Sequence, residues 1–199
     1  MILPQSYYQH DDVLYLSRDL LGKFLMTKIN GIVTGGMIVE TEAYRGPEDR
    51  ASHAHGGRRT KRTETMYQAG GVCYVYCCYG IHSLFNIVTN IADIPHAILI
   101  RAIHPQIGID TILKRRSKPK LNRAVTGGPG ALSQGLGIDT SHDGLPLTKD
   151  RIWVEDRKVS FTKKQVLASP RVGVAYAGED AQLPWRFRIK DSEWTSAAK

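Results

Sequence analysis

Two carboxylates lie close together in the segment Ile38-Val39-Glu40-Thr41-Glu42-Ala43-Tyr44. If this segment is a strand, residues two apart share a face, so Glu40, Glu42 and Tyr44 lie on one side of it. A carboxylate beside an aromatic ring suits a general base next to a stacking platform. The same two glutamates also fit an edge strand whose charges prevent aggregation, and for the pair in isolation that structural explanation is the better one.

The following segment, 45–71, is polar, rich in glycine and basic, which predicts a long loop with about one helical turn. Long loops within a compact domain are usually functional. Arg58, Arg59 and Arg62 could bind DNA phosphates, which supply affinity without reading sequence, although a solvated loop face explains them equally well. His53 is a candidate hydrogen-bond donor, general acid or metal ligand.

Aromatic and isolated polar residues mark the next two predicted strands. Tyr74 and Tyr76 share a strand face by parity, and core packing is the preferred role for Tyr74. Tyr79 precedes Gly80 at a predicted turn, where an aromatic ring could stack with bases or wedge between them. Asn86 and Arg101 interrupt apolar strand runs, so each is predicted to be a structural anchor or part of a site.

The cysteines favour neither a disulfide framework nor a zinc site. Cys73, Cys77 and Cys78 are odd in number, and two of them are adjacent, which indicates a reducing compartment. His53 and His55 invite a zinc hypothesis, but the paired spacings of structural zinc ligands are missing. We therefore expect no metal and no cofactor. With a polar N-terminus and no long apolar run, the chain is predicted to be soluble and cytoplasmic.

Length and charge favour one basic domain with a polyanionic partner. The chain has 199 residues, which fits a single domain over 1–199, and we expect a monomer. The formal net charge is +8 and the sequence pI is about 9.5. Nucleic acid is the leading partner, since no basic amphipathic helix supports binding to a membrane surface. Alternatively, if the positive charge is spread evenly over the surface, it only aids solubility and indicates no particular partner.

Periodicity predicts an α+β protein dominated by antiparallel strands. Asn30-Gly31 between two strand-like runs is a strong hairpin signal, and Gly35-Gly36 predicts a bulge or a widened turn. Helices are predicted at 14–21, with Asp12 or Ser17 as N-cap, and at 105–116 and 129–136. Strands are predicted at 23–29, 32–44, 72–79, 83–90, 97–102, 152–155, 172–175 and 185–189.

Long blocks of the chain resemble the alkyladenine (3-methyladenine) DNA glycosylase family, from about Leu16 to Trp194. The most specific blocks are VETEAYRGPEDRASHAHGGR, YVYCCYGIHSLFNIVTN, ILIRAIHP, GGPGALSQGLGI and PRVGVAYAGEDAQLPWRF. The resemblance implies a single compact domain on a curved, open-barrel-like antiparallel sheet, with surface helices and a protruding hairpin that enters the DNA minor groove. It also implies a monofunctional base-excision-repair enzyme whose partner is double-stranded DNA containing damaged purines.

The expected reaction flips an alkylated or deaminated purine out of the duplex and hydrolyses its N-glycosidic bond, leaving an abasic site. The substrate class comprises 3-methyladenine, 7-methylguanine, hypoxanthine and ethenoadenine. By resemblance, Glu42 activates the water with help from Arg101, Asn86 tests the purine, and Glu40 has a supporting role.

The resemblance assigns the aromatic residues to base binding. Tyr44, His53 and Tyr76 become the pocket walls, and Tyr79 replaces the flipped nucleotide in the duplex. Next to Tyr79 this chain has two cysteines where the vertebrate form has aliphatic and aromatic neighbours.

Two other functions remain as alternatives. A non-catalytic nucleic-acid-binding module on the same scaffold would use Glu40 and Glu42 only as surface charges. A hydrolase of free nucleosides would need neither the basic loop nor an aromatic wedge at Tyr79. Excision of a single hypoxanthine from duplex DNA would separate the repair enzyme from both alternatives.

Overall fold

One antiparallel sheet of eight strands organises the computed structural model, which describes residues 1–148 and 150–197. Strand order is β3-β4-β5-β2-β1-β6, and β8 pairs with both β2 and β7. The long β2 pairs with β1 along its first half and with β8 further on, which curls the sheet into a half-barrel. The strands are β1 Phe24–Ile29, β2 Ile32–Arg45, β3 Cys73–Cys78, β4 His82–Thr89, β5 His96–Ile107, β6 Ile152–Glu155, β7 Val166–Ser169 and β8 Arg186–Ile189.

The predicted Asn30-Gly31 hairpin is confirmed. Ile29 pairs with Ile32, which leaves a loop of two residues. Both loop residues have positive φ, 53° for Asn30 and 77° for Gly31, as a type I′ turn requires. The pairing of β2 with β5 also shifts register between Gly35 and Gly36, as the double glycine predicts.

Helices cover the sheet and enclose the main apolar core. The α-helices are α1 Gln5–Tyr8, α2 Val13–Asp19, α3 Ile109–Arg115 and α4 Pro129–Leu136. Asp12 caps α2 by accepting from the amides of Leu14 and Tyr15. α4 begins at Pro129 and ends before Gly137, as predicted, and it packs against β4 and β5. Fully buried Phe85 and Phe187 belong to this core.

Two sequence-based predictions are wrong, and one strand was not predicted. The predicted helix at 105–116 starts only at Ile109, because β5 continues to Ile107 against β2. No strand forms at 172–175, where Gly173 takes a left-handed φ of 74° in an irregular loop and a 3-10 helix begins at Ala175. Strand β7 was missed, and it pairs antiparallel with β8. Within residues 1–148 and 150–197, no helix has both the length and the apolar character to cross a membrane.

Candidate active site

Glu40 and Glu42 lie in the interior of the sheet. Their stretch of β2 pairs with β5 on one side and with β8 on the other, so it is not an edge. Both carboxylates are completely buried, with 0% exposure. The edge-strand interpretation is therefore wrong. A buried carboxylate requires hydrogen-bonding or charged partners, and the fold supplies them to both residues.

A bulge in β5 directs Arg101 toward these carboxylates. Glu40 pairs with Ala102 and Thr41 with Ile100, which leaves Arg101 without a register partner. Bulges of this kind redirect a side chain. Arg101 Nε donates to Glu40 Oε1 at 2.9 Å, and its Nη1 lies 3.3 Å from Glu42 Oε1.

Three groups hold the Glu42 carboxylate in place. The Val172 amide donates to Oε1 at 2.8 Å, the Tyr44 hydroxyl donates to Oε2 at 2.9 Å, and Arg101 provides the nearest positive charge. These three residues line a cavity of about 710 Å³, whereas Glu42 lies directly behind that wall.

Aromatic rings form one wall of this cavity. The His53 ring meets the Tyr76 ring edge-on, with centroids 4.7 Å apart. The ring centroids of Tyr74 and Tyr76 are 5.4 Å apart. Tyr74 is buried, as the sequence predicts, and its hydroxyl is 2.9 Å from His53 Nδ1. Tyr44 lines the same cavity, so the three predicted pocket walls are brought together.

The aromatic wall is uncharged at neutral pH. Burial, with the nearby Arg62 and Arg58, lowers the pKa of His53 to about 4. Burial raises the pKa of Tyr76 and of Tyr44 above their usual values. A charged His53 would repel a cationic ligand, and the low pKa removes that repulsion.

Asn86 anchors the floor of the cavity and also offers it a polar group. Its Nδ2 donates to the backbone oxygens of Tyr74 at 3.0 Å and Leu84 at 3.3 Å. With the amide nitrogen used in this way, Oδ1 remains as an acceptor, and Asn86 lines the cavity. These contacts fit a structural anchor, and a role of Asn86 in base binding stays a prediction.

Tyr79 lies at the tip of the hairpin between β3 and β4. Its side chain is 89% exposed. Tyr79 has a left-handed φ of 51°, and Gly80, which follows it, has a φ of 72°. Ile81, the next tip residue, is 75% exposed. The hairpin therefore projects an apolar tip beside the cavity, whose rim includes Tyr79 and Cys78.

The three loop arginines have different surroundings. Arg59 is held by Glu64 at 2.6 Å and by Asp93 at 2.7 Å, so its charge is already paired. Arg62 stands over the Tyr76 ring, 5.0 Å from its centroid, with Nη2 3.5 Å from His53 Nε2. Arg58 and Arg62 also line a second cavity of about 460 Å³ with Arg50 and His55, and its described lining contains no carboxylate.

Comparisons with known proteins identify the family. Residues 6–193 match the model of the methylpurine-DNA glycosylase family. The chain belongs to this family. A relative from Chlamydia felis is 48% identical over 94% of this chain and 96% of its own length. One from Bacillus cereus strain G9842 is 41% identical over 98% of this chain and 99% of its own length. Both bear the provisional name of 3-methyladenine DNA glycosylase.

Membership makes the protein a DNA repair glycosylase, a hydrolase of the bond between base and sugar. The residues that the family resemblance points to do converge in this glycosylase. Tyr44, His53, Tyr76, Asn86 and Arg101 share one cavity, and Glu42 lies behind it. In the part of the chain that the structure describes, no group of three or more His, Cys, Asp or Glu side chains could hold a metal ion.

The sequence analysis missed residues of the loop after β7. Arg171 is buried, pairs with Asp49 through two nitrogens, and lies 4.8 Å from the Tyr44 ring centroid. Val172 donates to Glu42, and Tyr176 is 70% exposed at the rim of both cavities. These residues fall in the block PRVGVAYAG, which marked the family resemblance but gave no indication of individual roles.

Proposed function

We propose that this glycosylase flips a damaged purine out of duplex DNA and hydrolyses its N-glycosidic bond with a water activated by Glu42. The observation that carries the proposal is the Glu42 carboxylate, held by Tyr44, Val172 and Arg101 directly behind an aromatic cavity. That arrangement supports a role for Glu42 as general base beside the sugar of a base bound in the cavity.

The cavity suits alkylated purines. Alkylation at N3 or N7 makes a purine cationic, and the faces of tyrosine rings attract cations. Tyr44 and Tyr76 supply such rings, while neutral His53 adds no opposing charge. The substrate class is therefore alkylated purines, together with the neutral deaminated or etheno-modified purines that stack in the same way.

Glu42 has two tasks in the proposed reaction. It takes a proton from the attacking water, and its negative charge stabilises the oxocarbenium-like sugar as the base leaves. Arg101 holds the same water from the other side. The described residues that line the cavity include no lysine, so an amine nucleophile is missing there, and the product is an abasic site without strand cleavage.

The surface beside the cavity suits DNA. Tyr79 at the exposed hairpin tip can fill the stack that a flipped nucleotide vacates. Arg50, Arg58 and Arg62 surround the second cavity, whose positive lining suits a backbone phosphate next to the flipped nucleotide. Arg59 contributes less to this surface, because Glu64 and Asp93 already neutralise it.

The test uses a duplex with one hypoxanthine opposite thymine, incubated with the protein and then treated with alkali. We expect cleavage at the lesion after alkali, no cleavage without alkali, and no cleavage of the undamaged duplex. Tight binding without base release would indicate that the protein is a non-catalytic binding module. Release of the base from free inosine but not from the duplex would indicate that the protein is a nucleoside hydrolase.

A further inference from the structure

Glu40 is the centre of a buried network that the proposed mechanism does not use. Its Oε1 accepts from Arg101 Nε at 2.9 Å, from Arg186 Nε at 2.8 Å and from the Ser196 hydroxyl at 2.8 Å. The Ser196 amide donates to Oε2 at 2.5 Å. Glu40 is fully buried, and Arg101, Arg186 and Ser196 are at most 7% exposed. Every donor of this set therefore has a fixed direction.

The network divides the donors of Arg101 between the two glutamates. Nε bonds Glu40, Nη2 lies 3.5 Å from the Ser196 hydroxyl, and Nη1 remains for Glu42 at 3.3 Å. A guanidinium and a carboxylate without other constraints prefer a bidentate pair with two parallel hydrogen bonds. Such a pair with Glu42 would occupy the oxygen positions at which a water must bind.

We propose that Glu40 is a positioning residue, which holds Arg101 by Nε and so prevents the guanidinium from closing onto Glu42 as a bidentate pair. Glu42 then keeps lone pairs free for the attacking water, and Arg101 keeps a donor for it. Glu40 touches neither substrate nor water, and it acts through Arg101. The inference rests on the proposed function of Glu42.

Charge balance supports this role. The buried cluster contains two carboxylates, Glu40 and Glu42, and two guanidinium groups, Arg101 and Arg186, so its formal charge is zero. Burial opposes ionisation of Glu40, but Arg101, the Ser196 amide and Arg186 together lower its pKa below the usual value. Loss of the Glu40 charge would leave Arg186 without this carboxylate partner and Arg101 paired with Glu42 alone in this cluster.

The experiment separates positioning from folding by a charge-compensated pair of substitutions. Glu40→Gln leaves an unpaired buried cation, so we expect a lower Tm and slower excision. Glu40→Gln combined with Arg186→Met restores neutrality, and Arg186→Met alone is the matched reference. For each protein we would measure Tm, affinity for the hypoxanthine duplex, and the single-turnover excision rate at saturating enzyme.

We expect the double variant to regain most of the Tm that Glu40→Gln loses and to bind the lesion duplex like wild type. Its excision rate should nevertheless stay about 100-fold below wild type, the cost typical of a misplaced catalytic group. If Glu40→Gln does not fold, the double variant provides the test alone.

Two results would overturn the inference. In the first, the double variant recovers its excision rate together with its Tm, which would show that Glu40 has a purely structural role. The other is a wild-type excision rate in folded Glu40→Gln protein. Failure of the proposed function has a different signature, since wild type itself would then release no base from the lesion duplex, and the inference would fall with it.

Discussion

Glu40 and Glu42 have the same side chain and lie two residues apart, but their partners give them different chemistry. Glu40 accepts from two arginines and from Ser196. Glu42 accepts from a backbone amide and a tyrosine hydroxyl, next to the cavity. Strong donors saturate Glu40, which fits the positioning role proposed for it, whereas Glu42 keeps acceptor capacity for the water of the proposed mechanism.

Glu42→Gln should abolish base release while leaving lesion binding largely intact. The amide keeps the shape of the side chain but can neither take a proton nor oppose the developing positive charge. General-base loss alone costs about 100- to 10,000-fold in rate. Single-turnover excision and a binding titration on the hypoxanthine duplex provide the measurement.

The control is Glu48→Gln, because Glu48 is exposed on the turn after β2 and, among residues 1–148 and 150–197, its one ion pair is with Arg45. Glu40→Gln is unsuitable as a control, since Glu40 contacts Arg101. Near-wild-type excision by the Glu42→Gln protein would refute the assignment.

His53 predicts a pH dependence of stability. Its pKa falls from 6.5 in the unfolded chain to about 4 in the folded protein, mainly through burial and then through Arg62 and Arg58. As the pH falls below 6.5, the unfolded state takes up the proton first, so wild type should lose stability relative to His53→Gln. The loss should be on the order of 1.4 kcal/mol per pH unit down to about pH 4, and zero above pH 6.5.

Urea unfolding of wild type and His53→Gln between pH 7.5 and about 4 would provide the free-energy difference. His55→Gln, on the same loop, is measured in parallel to account for removal of a loop histidine. A difference that does not change over this pH interval would show that the folded protein does not hold His53 neutral.

At the scale of elements, the hairpin of β3 and β4 connects the cavity to the proposed DNA-binding surface. Tyr76 lines the cavity from β3, and Tyr79 projects from the tip three residues later. Tyr79→Ala should slow excision most where the lesion is well paired, because the substituted tip cannot fill the vacated stack. We expect roughly a 10- to 100-fold defect for hypoxanthine opposite thymine, corresponding to about 1.4 to 2.7 kcal/mol.

The defect of Tyr79→Ala should shrink on a mismatched or single-stranded lesion, where unstacking costs little. Tyr15→Ala is the matched control, since Tyr15 is also an exposed tyrosine but lies on α2, outside the lining of the cavity. An equal defect in every DNA context would place Tyr79 in base binding or folding instead of stacking.

The basic loop should use its arginines unequally. Arg58→Gln should reduce the slope of log affinity against log salt by about one, as expected for one lost phosphate contact. Arg59→Gln should change the slope much less, because Glu64 and Asp93 already pair its charge. Titrations of damaged and undamaged duplex over a salt series measure both slopes. Equal slope changes in the two variants would contradict this division.

At the scale of the whole molecule, Arg171 and Asp49 connect distant parts of the chain around the site. Both side chains are fully buried, and they join at 2.5 Å and 2.8 Å. This pair fastens the loop that carries Val172 to the turn after β2. Asp49→Asn leaves the Arg171 cation buried without its partner, so we expect a destabilisation of about 3 kcal/mol.

Urea unfolding measures that loss, and the exposed Glu48→Gln variant should show no measurable change. Because Val172 donates to Glu42, excision by folded Asp49→Asn protein should fall as well. Unchanged stability would mean that the pair contributes nothing to holding the loop.

Local sequence determined much of this molecule. The Asn30-Gly31 hairpin, α4 between Pro129 and Gly137, and the strands around Tyr76 and Asn86 follow from turn chemistry, capping and alternation. The candidate site residues were found through long family-like blocks, whose order and spacing carry far more information than any single residue. These features depend on residues that are close together in sequence, so they can be predicted without the tertiary structure.

The tertiary structure alone decided which partners the site residues have. Arg101 reaches Glu40 across 61 positions, and Val172 reaches Glu42 across 130. Such contacts depend on which strands become neighbours, on a bulge in β5 and on the course of an irregular loop. Local propensity encodes none of these. For that reason two equivalent glutamates became an anchor and a candidate base, and Arg59 became an internal partner of Glu64.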